Sequence, residues 1–364
     1  MHQALGLAAQ ALFLSNPNPR VGCVLVGRDG GVLGVGFTQR AGGPHAEVMA
    51  LRDAVAKGAD VRGATAYVTL EPCAHHGRTG PCCDALIDAG ITKVVASLTD
   101  PNPLVAGQGF ARLRAAGIEV VVGPGADESR ELNIGFFSRM VRGTPWVRLK
   151  AAMSLDGATA LENGASQWIT SRTARSDGHA WRARACAVLT GIGTVLDDNP
   201  RLDVREVATP RQPHVVVVDS QLQTPPDANL LLHAGERQVL IYSATDNDAR
   251  RKALEARGAQ VICLPQTSGG KVDLAAMLRD LGARGINELH VEAGHKLNGS
   301  LVREGLVDEL LVYMAPRLLG MARGLAHFGP LAALADGLEL QFTSVETLGP
   351  DIRITARVAG RDAF

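Results

Sequence analysis

Short apolar runs bounded by glycine alternate along this chain with longer segments that are apolar at helical spacing. Such alternation leaves few options, because each short run must bury as a strand and each helix must cover a sheet face, as in a layered α/β protein. Ala4–Leu14 reads as a helix stopped by Asn16-Pro17-Asn18-Pro19. Val21–Val26 reads as a buried strand, and Gly30-Gly31 as a hairpin turn into Val32–Phe37. Helices are expected at Ala46–Ala56, Cys82–Ala89 and Phe110–Ala116, with one more from Glu128 to Phe137. Strands are expected at Ala64–Leu70, Lys93–Leu98, Ile118–Val122 and Trp146–Ala152. Further strands follow at Ala187–Thr190, Val215–Asp219, Gln238–Tyr242, Gln260–Leu264, Glu288–Glu292 and Glu309–Ala315, and Leu338–Val358 reads as two more.

At 364 residues the chain suits two domains. The turn Gly143-Thr144-Pro145 places the boundary, giving domains 1–143 and 144–364. Lys+Arg and Asp+Glu are both 37, so the net charge is zero, which argues against a partner read through its phosphate backbone. Aromatic residues at 4% supply few stacking platforms for single strands. The sequence has neither an apolar stretch of membrane-spanning length nor a basic, apolar leader, so a cytoplasmic protein without a membrane partner is expected.

The sharpest motif is His45-Ala46-Glu47 followed by Pro72-Cys73 and Pro81-Cys82. One imidazole and two thiolates suit zinc, and three protein ligands leave a position for water, as in catalytic rather than closed structural sites. Zinc lowers the pKa of such a water toward ~7. Glu47, at a helix start, can reach that water without ligating the metal and carry its proton. The order matches the zinc deaminases, His-x-Glu then Pro-Cys-x-x-Cys, except that Ala74–Pro81 is inserted between the cysteines. Cys83 competes with Cys82. We favour Cys82 because it follows proline, as Cys73 does, and opens a helix, where a thiolate is stabilised. His75 and His76 are alternative ligands, but the polar, cationic insert points them and Arg78 toward substrate. Arg78 suits a phosphate, or else is a solvated loop charge.

These residues carry a family resemblance. Pro17-Asn18-Pro19-Arg20-Val21-Gly22-Cys23-Val24, Gly43-Pro44-His45-Ala46-Glu47 and the whole stretch from Thr69 to Cys82, insert included, resemble the RibD family. These are the bifunctional deaminase-reductases of riboflavin biosynthesis. Ala151-Ala152-Met153-Ser154-Leu155-Asp156-Gly157, Ser166-Gln167-Trp168-Ile169-Thr170-Ser171 and Val291-Glu292-Ala293-Gly294 are similar to the reductase half of that family. The likeness thus covers nearly the whole chain. It implies a cytidine-deaminase-like, three-layer α/β/α first domain and a dihydrofolate-reductase-like α/β second domain. Periodicity alone gives only two α/β domains.

The resemblance further implies two reactions on small pyrimidine ribosylamine phosphates. The first is zinc-dependent removal of an amino group from a diaminopyrimidinone, and the second is NADPH-dependent reduction of the ribosyl group to ribityl. It places Asn18 and Asn102 on the pyrimidine substrate, although Asn beside Pro is also an ordinary turn residue. In the second half it points to Ser166, Arg182, Leu202, Arg205 and Glu292 for substrate. For NADPH it points to Ala152, Trp168, Thr194, Asp198, Ser220 and the run Gly294, His295, Lys296, Leu297, Asn298, Gly299 and Ser300. Arg182 and Arg205 fit a phosphate through bidentate pairing. Trp168 is equally readable as an apolar core anchor, and Lys296 or His295 as the group that favours the extra phosphate of NADP. Asp198 is a candidate for moving a proton. Assembly of copies through the reductase half is also implied. Two competing classes are a nucleic-acid-editing deaminase, which the neutral charge disfavours, and a zinc-stabilised binding module, which Glu47 and the incomplete ligand set disfavour.

Overall fold

The computed structural model describes residues 1–74, 80–266 and 269–364. The chain divides into two compact units, residues 1–143 together with Phe364, and residues 144–363. Among the described residues no helix is long and apolar enough to cross a membrane.

The first unit runs α1 (His2–Gln10), β1 (Gly22–Val26), β2 (Val32–Phe37), α2 (Ala46–Ala56), β3 (Thr65–Val68), α3 (Cys82–Asp88), β4 (Lys93–Ala96), α4 (Gln108–Ala115), β5 (Glu119–Val122), α5 (Ala126–Leu132) and α6 (Ile134–Arg142). Its five strands lie in the order β2-β1-β3-β4-β5. β1 is antiparallel to both neighbours, and β3, β4 and β5 are parallel. Helices cover both faces, and glycine makes this possible. A Cβ on Gly22 would lie 1.9 Å from the Ala4 carbonyl oxygen of α1. A Cβ on Gly36 would lie 2.4 Å from both the Ala46 carbonyl oxygen and the Ala50 nitrogen of α2. Gly36 pairs with Cys23, the residue after Gly22, so α1 and α2 lie on opposite faces. Ala46, Ala50 and Ala54 form the matching small-residue stripe, all fully buried. The carboxyl ends of β3 and β4 lead into Cys73 and Asn102, and the first turn of α2 carries His45 and Glu47.

Two helix expectations are corrected. The first helix ends at Gln10, and tight turns replace its last residues up to Leu14. The single helix expected from Glu128 to Phe137 is two helices, α5 and α6, broken at Asn133. The break has a cause: Asn133 Oδ1 accepts the Arg20 N–H at 2.7 Å, and Asn133 Nδ2 donates to the Arg20 and Ser129 carbonyls at 3.0 and 3.1 Å. A continuous helix would carry that amide away from the loop it pins, the loop bearing Asn18.

The second unit runs β6 (Trp146–Ser154), β7 (Ala158–Leu161), α7 (Arg172–Arg184), β8 (Ala187–Gly191), α8 (Ile192–Asp198), β9 (His214–Val218), β10 (Val239–Ser243), α9 (Asp248–Glu255), β11 (Ala259–Cys263), α10 (Leu274–Ala283), β12 (Glu288–Val291), α11 (His295–Arg303), β13 (Glu309–Ala315), β14 (Ala322–Gly324), β15 (Leu340–Leu348) and β16 (Asp351–Val358). Nine strands lie in the order β11-β10-β9-β8-β12-β6-β13-β16-β15, and β7 pairs with β14 apart from them. The strands from β11 to β13 are all parallel, and β16 then pairs antiparallel with β13 and with the edge strand β15. Chain order runs outward from β8 through β9 and β10, whereas β12 lies on the other side of β8. That reversal opens a crevice at the carboxyl ends of β8 and β12, where α/β sheets bind ligands.

Because α2 rests directly on glycine, Gly36→Ala is expected to destabilise the first unit by the ~1–3 kcal/mol or more of core overpacking. Gly6→Ala, inside α1 where a Cβ meets nothing within 4 Å, is the control and is expected to be neutral to about 1 kcal/mol stabilising. Thermal unfolding of the two variants checks this. An unchanged melting temperature for Gly36→Ala would mean that the helix is free to lift off the sheet.

Candidate functional site

In the first unit three segments converge. His45 is the N-cap of α2, Cys73 follows β3, and Cys82 is the first residue of α3, capped by Pro81. His45 Nδ1 lies 3.6 Å from Cys73 Sγ and 3.4 Å from Cys82 Sγ. Zn–S and Zn–N bonds of about 2.3 and 2.0 Å at a tetrahedral angle put N and S roughly 3.6 Å apart. The donor set and its spacing therefore fit zinc, and these are the ligand atoms that cluster among the described residues. Cys83 does not share the centre. Its thiol donates to the Pro72 carbonyl at 3.1 Å and lies 3.5 Å from that of Gly109, and burial pushes it up to about 12. A hydrogen bond from Cys82, helped by His45 and the Cys82 backbone N–H, lowers Cys73 to about 4 against its burial. Cys82 is pushed up by its hydrogen bond to Cys73 and by burial.

Glu47 is 3% exposed in the first turn of α2, and burial, with the Cys73 thiolate adding to it, raises its carboxyl to about 7. A cavity of about 560 Å³ opens over His45, Glu47 and Cys73 and is also lined by Asn18, Asn102 and Arg139. Asn102 serves a turn as well, because its Oδ1 accepts the Leu104 N–H at 3.1 Å. His76 and Arg78 lie outside the described residues. Arg139, on α6, is a cation in this cavity that sequence reasoning missed. Nothing in its neighbourhood in the chain marks it, and only the bend at Asn133 brings α6 to the site.

The second unit opens three adjoining cavities at the β8/β12 crevice. One of about 520 Å³ is lined by Thr194, Ser220, Gly294, His295, Lys296, Leu297 and Ser300. A second of about 290 Å³ is lined by Ala152, Ser166, Trp168, Asp198, Glu292 and Asn298. A third of about 470 Å³ is lined by Arg182, Leu202 and Arg205, and shares Trp168, Asp198 and Glu292 with the second. Gly299 lines none of them. A Cβ there would lie 1.9 Å from the His327 carbonyl oxygen, so this glycine serves the packing of α11. Trp168 is 59% exposed, which removes the core-anchor reading, and Arg175 stacks over its ring at 4.6 Å.

These cavities fit a dinucleotide. Gly191 and Gly294 cap α8 and α11, whose amino ends offer N–H groups to a pyrophosphate. Asn298, 3% exposed, fastens its Nδ2 to the Ala293 and Leu325 carbonyls, while its buried Oδ1 has no partner among the described residues. That oxygen is an acceptor held ready for a ligand donor. Arg182 departs from the simple phosphate expectation. Its Nε and Nη2 both donate to the Glu292 carboxylate, and its Nη1 donates to the Asp203 carbonyl at 3.0 Å. Burial alone would raise Glu292, but Arg182 and Lys150 hold it well below the usual carboxylate range. Lys150, which sequence reasoning passed over inside strand β6, lies 3.8 Å from Glu292, and burial lowers its ammonium. Asp198 is raised by burial and by Asp197 beside it.

The comparisons agree with this geometry. Residues 1–98 match the cytidine and deoxycytidylate deaminase zinc-binding region, and residues 145–354 match the RibD C-terminal domain. Riboflavin biosynthesis protein RibD of Escherichia coli K12 is 47% identical, across 97% of this chain and 96% of its own length. The chain belongs to the RibD family. It is a bifunctional deaminase and reductase of riboflavin biosynthesis, with a zinc-binding deaminase domain and a reductase domain. RibD of Haemophilus influenzae is 45% identical across 98% of this chain and 95% of its own. The crystallised RibD of Acinetobacter baumannii superposes with a TM-score of 0.88 at 40% identity, covering 98% of this chain and 97% of its own. The Thermotoga maritima deaminase/reductase superposes at 0.86 with 33% identity, covering 99% and 97%.

The thiol geometry separates the two adjacent cysteines. Cys82→Ser is expected to weaken zinc binding by more than the roughly 10–100-fold of outer-shell changes, whereas Cys83→Ser keeps the metal. Elemental analysis after dialysis against a chelator reads both, and equal zinc content in the two variants would contradict the ligand set.

Proposed function

We propose that residues 1–143 deaminate a diaminopyrimidinone carrying a ribosylamine 5-phosphate, and that residues 144–364 reduce the ribosyl group of the product to ribityl. The observation that carries the first assignment is the buried Glu47 beside the His45, Cys73 and Cys82 donor set, with Glu47, His45 and Cys73 lining one open cavity. Zinc held by those three residues supplies Lewis-acid activation of the hydrolytic water. The chain's own groups do the rest. Asn18 and Asn102 line the cavity and orient the pyrimidine. Glu47, fixed in the first turn of α2, carries a proton at its carboxylate between water, ring and departing ammonia. Loss of ammonia and gain of the water oxygen convert the amino-bearing carbon to a carbonyl, with no change of oxidation state. His76 and Arg78 complete the substrate contacts in this reading.

In the second unit NADPH supplies the two-electron reduction. Thr194, Ser220 and Gly294 to Ser300 (Gly299 through packing only) hold the dinucleotide, and Lys296 or His295 favours its extra phosphate. Ala152 and Trp168 line its reactive end. Ser166, Leu202 and Arg205 bind the substrate. Arg182 and Glu292 act as one ion-paired unit that orients it. Asp198 and Lys150 face the shared space and hold protons at Oδ and Nζ for the reduced ribityl oxygen. The free cysteines and the use of NADPH support a cytoplasmic reading.

The reductase half assembles with a second copy of this chain. Its edge strand β15 shows Leu340, Phe342 and Val345 to solvent at 38%, 72% and 60% exposure. An edge this apolar asks for a pairing partner, and the identical strand of another copy is complementary to it. Phe342→Glu is expected to give a monomer by light scattering. A wild type that is itself monomeric would refute the assembly.

Glu47→Gln tests the division of labour. Deamination should fall about 10²–10⁴-fold, zinc should stay, and reduction of supplied deaminated intermediate should be untouched. Mass spectrometry with and without NADPH separates the steps. Loss of both activities in a folded protein would contradict two independent sites.

A further inference from the structure

Three carboxylates line the deaminase cavity, those of Glu47, Glu71 and Asp100. Glu71 lies between β3 and the Pro72-Cys73 ligand turn and is 6% exposed. Its Oε2 accepts the backbone N–H groups of Asp100 and Gly107 at 3.1 and 2.9 Å. Its Oε1 accepts those of Gly109 and Phe110 at 2.8 and 3.3 Å. A carboxylate has about four lone-pair sites, so backbone donors occupy all of them and none is left for chemistry. The four donors span one segment, which enters from β4, carries Asn102 and Val105 into the cavity wall, and ends in the first turn of α4. The segment is also drawn in close. A Cβ on Gly109 would lie 2.0 Å from the Pro72 carbonyl oxygen, and Cys83, on α3, donates its thiol to that same carbonyl.

We propose that Glu71 is a positioning residue of the deaminase, clamping residues 100–110 against the ligand turn so that Asn102 meets the pyrimidine. This rests on the deaminase reading above. These hydrogen bonds tie the loop to the ligand turn, whereas the turn that Asn102 makes is local to the loop itself. Glu71 therefore shapes substrate binding, whereas Glu47 handles protons.

Glu71→Gln keeps the shape but turns an amide N–H₂ toward two of the four N–H donors. The expected result is a KM for deamination raised about ten-fold or more, kcat little changed, zinc content as wild type, and faster amide hydrogen exchange confined to residues 100–110. Glu71→Asp, which keeps the charge but shortens the reach, should show the same changes to a smaller degree, and it serves as the probe if the glutamine variant does not fold. A fall in kcat at unchanged KM would put Glu71 in the chemistry and overturn the proposal. So would unchanged exchange in 100–110, or zinc loss at unchanged KM. If the wild type does not deaminate the pyrimidine, the deaminase reading fails, and the exchange measurement still decides whether Glu71 is the clamp.

Discussion

Backbone contact between α2 and bare sheet at Gly34 and Gly36 sets where everything in the first unit can stand. With only the small side chains of Ala46, Ala50 and Ala54 facing the glycines, helix and sheet are held close, and interiors packed this closely do not tolerate gradual adjustment. The first turn of α2 then projects His45 and Glu47 over the ends of β3 and β4. Cys73 and Cys82 reach the same point from two other elements, so the donor set exists only when three separate packings agree. Preorganisation of this kind lets a buried carboxylate beside a metal site act without rearrangement.

The second unit solves a different problem. Its sheet carries charge in its interior: Arg148, 1% exposed on β6, is ion-paired with Glu288 on β12 and Glu309 on β13, and Arg184 and Arg357 join the same carboxylates. Isolated charges at this depth would be prohibitive, and pairing across neighbouring strands compensates them while fixing which strands lie side by side. A second set of pairs, Arg182 and Lys150 each with the Glu292 carboxylate, faces the cavities instead. Similar residue types thus serve register inside the sheet and line the cavities at its rim.

Much of this was legible in the sequence, for physical reasons. Strand and helix periods survive burial, so β2, α2 and β13 have the bounds that periodicity expects. The candidate metal site was readable because Pro-Cys and His-x-Glu are local signatures of a donor set. The break at Asn133 was not, because it answers to the Arg20 backbone more than a hundred residues away in the chain. The clamp of Glu71 was hidden for the same reason: its four partners are backbone groups, which carry no residue-type signal. The small β7/β14 sheet was missed because strands of four and three residues offer too short a period to detect. Lys150 and Arg139 were passed over because a lone cation acquires meaning only from the cavity around it.

Trp168 has a practical consequence of its own. Trp146 is fully buried and Trp181 is stacked by Arg148, whereas Trp168 stands exposed at the mouth of the crevice with a guanidinium over its ring. An indole in that position senses displacement of the guanidinium and exclusion of water. The second unit therefore carries an intrinsic optical label, through which occupation of the crevice can be timed in the unmodified protein.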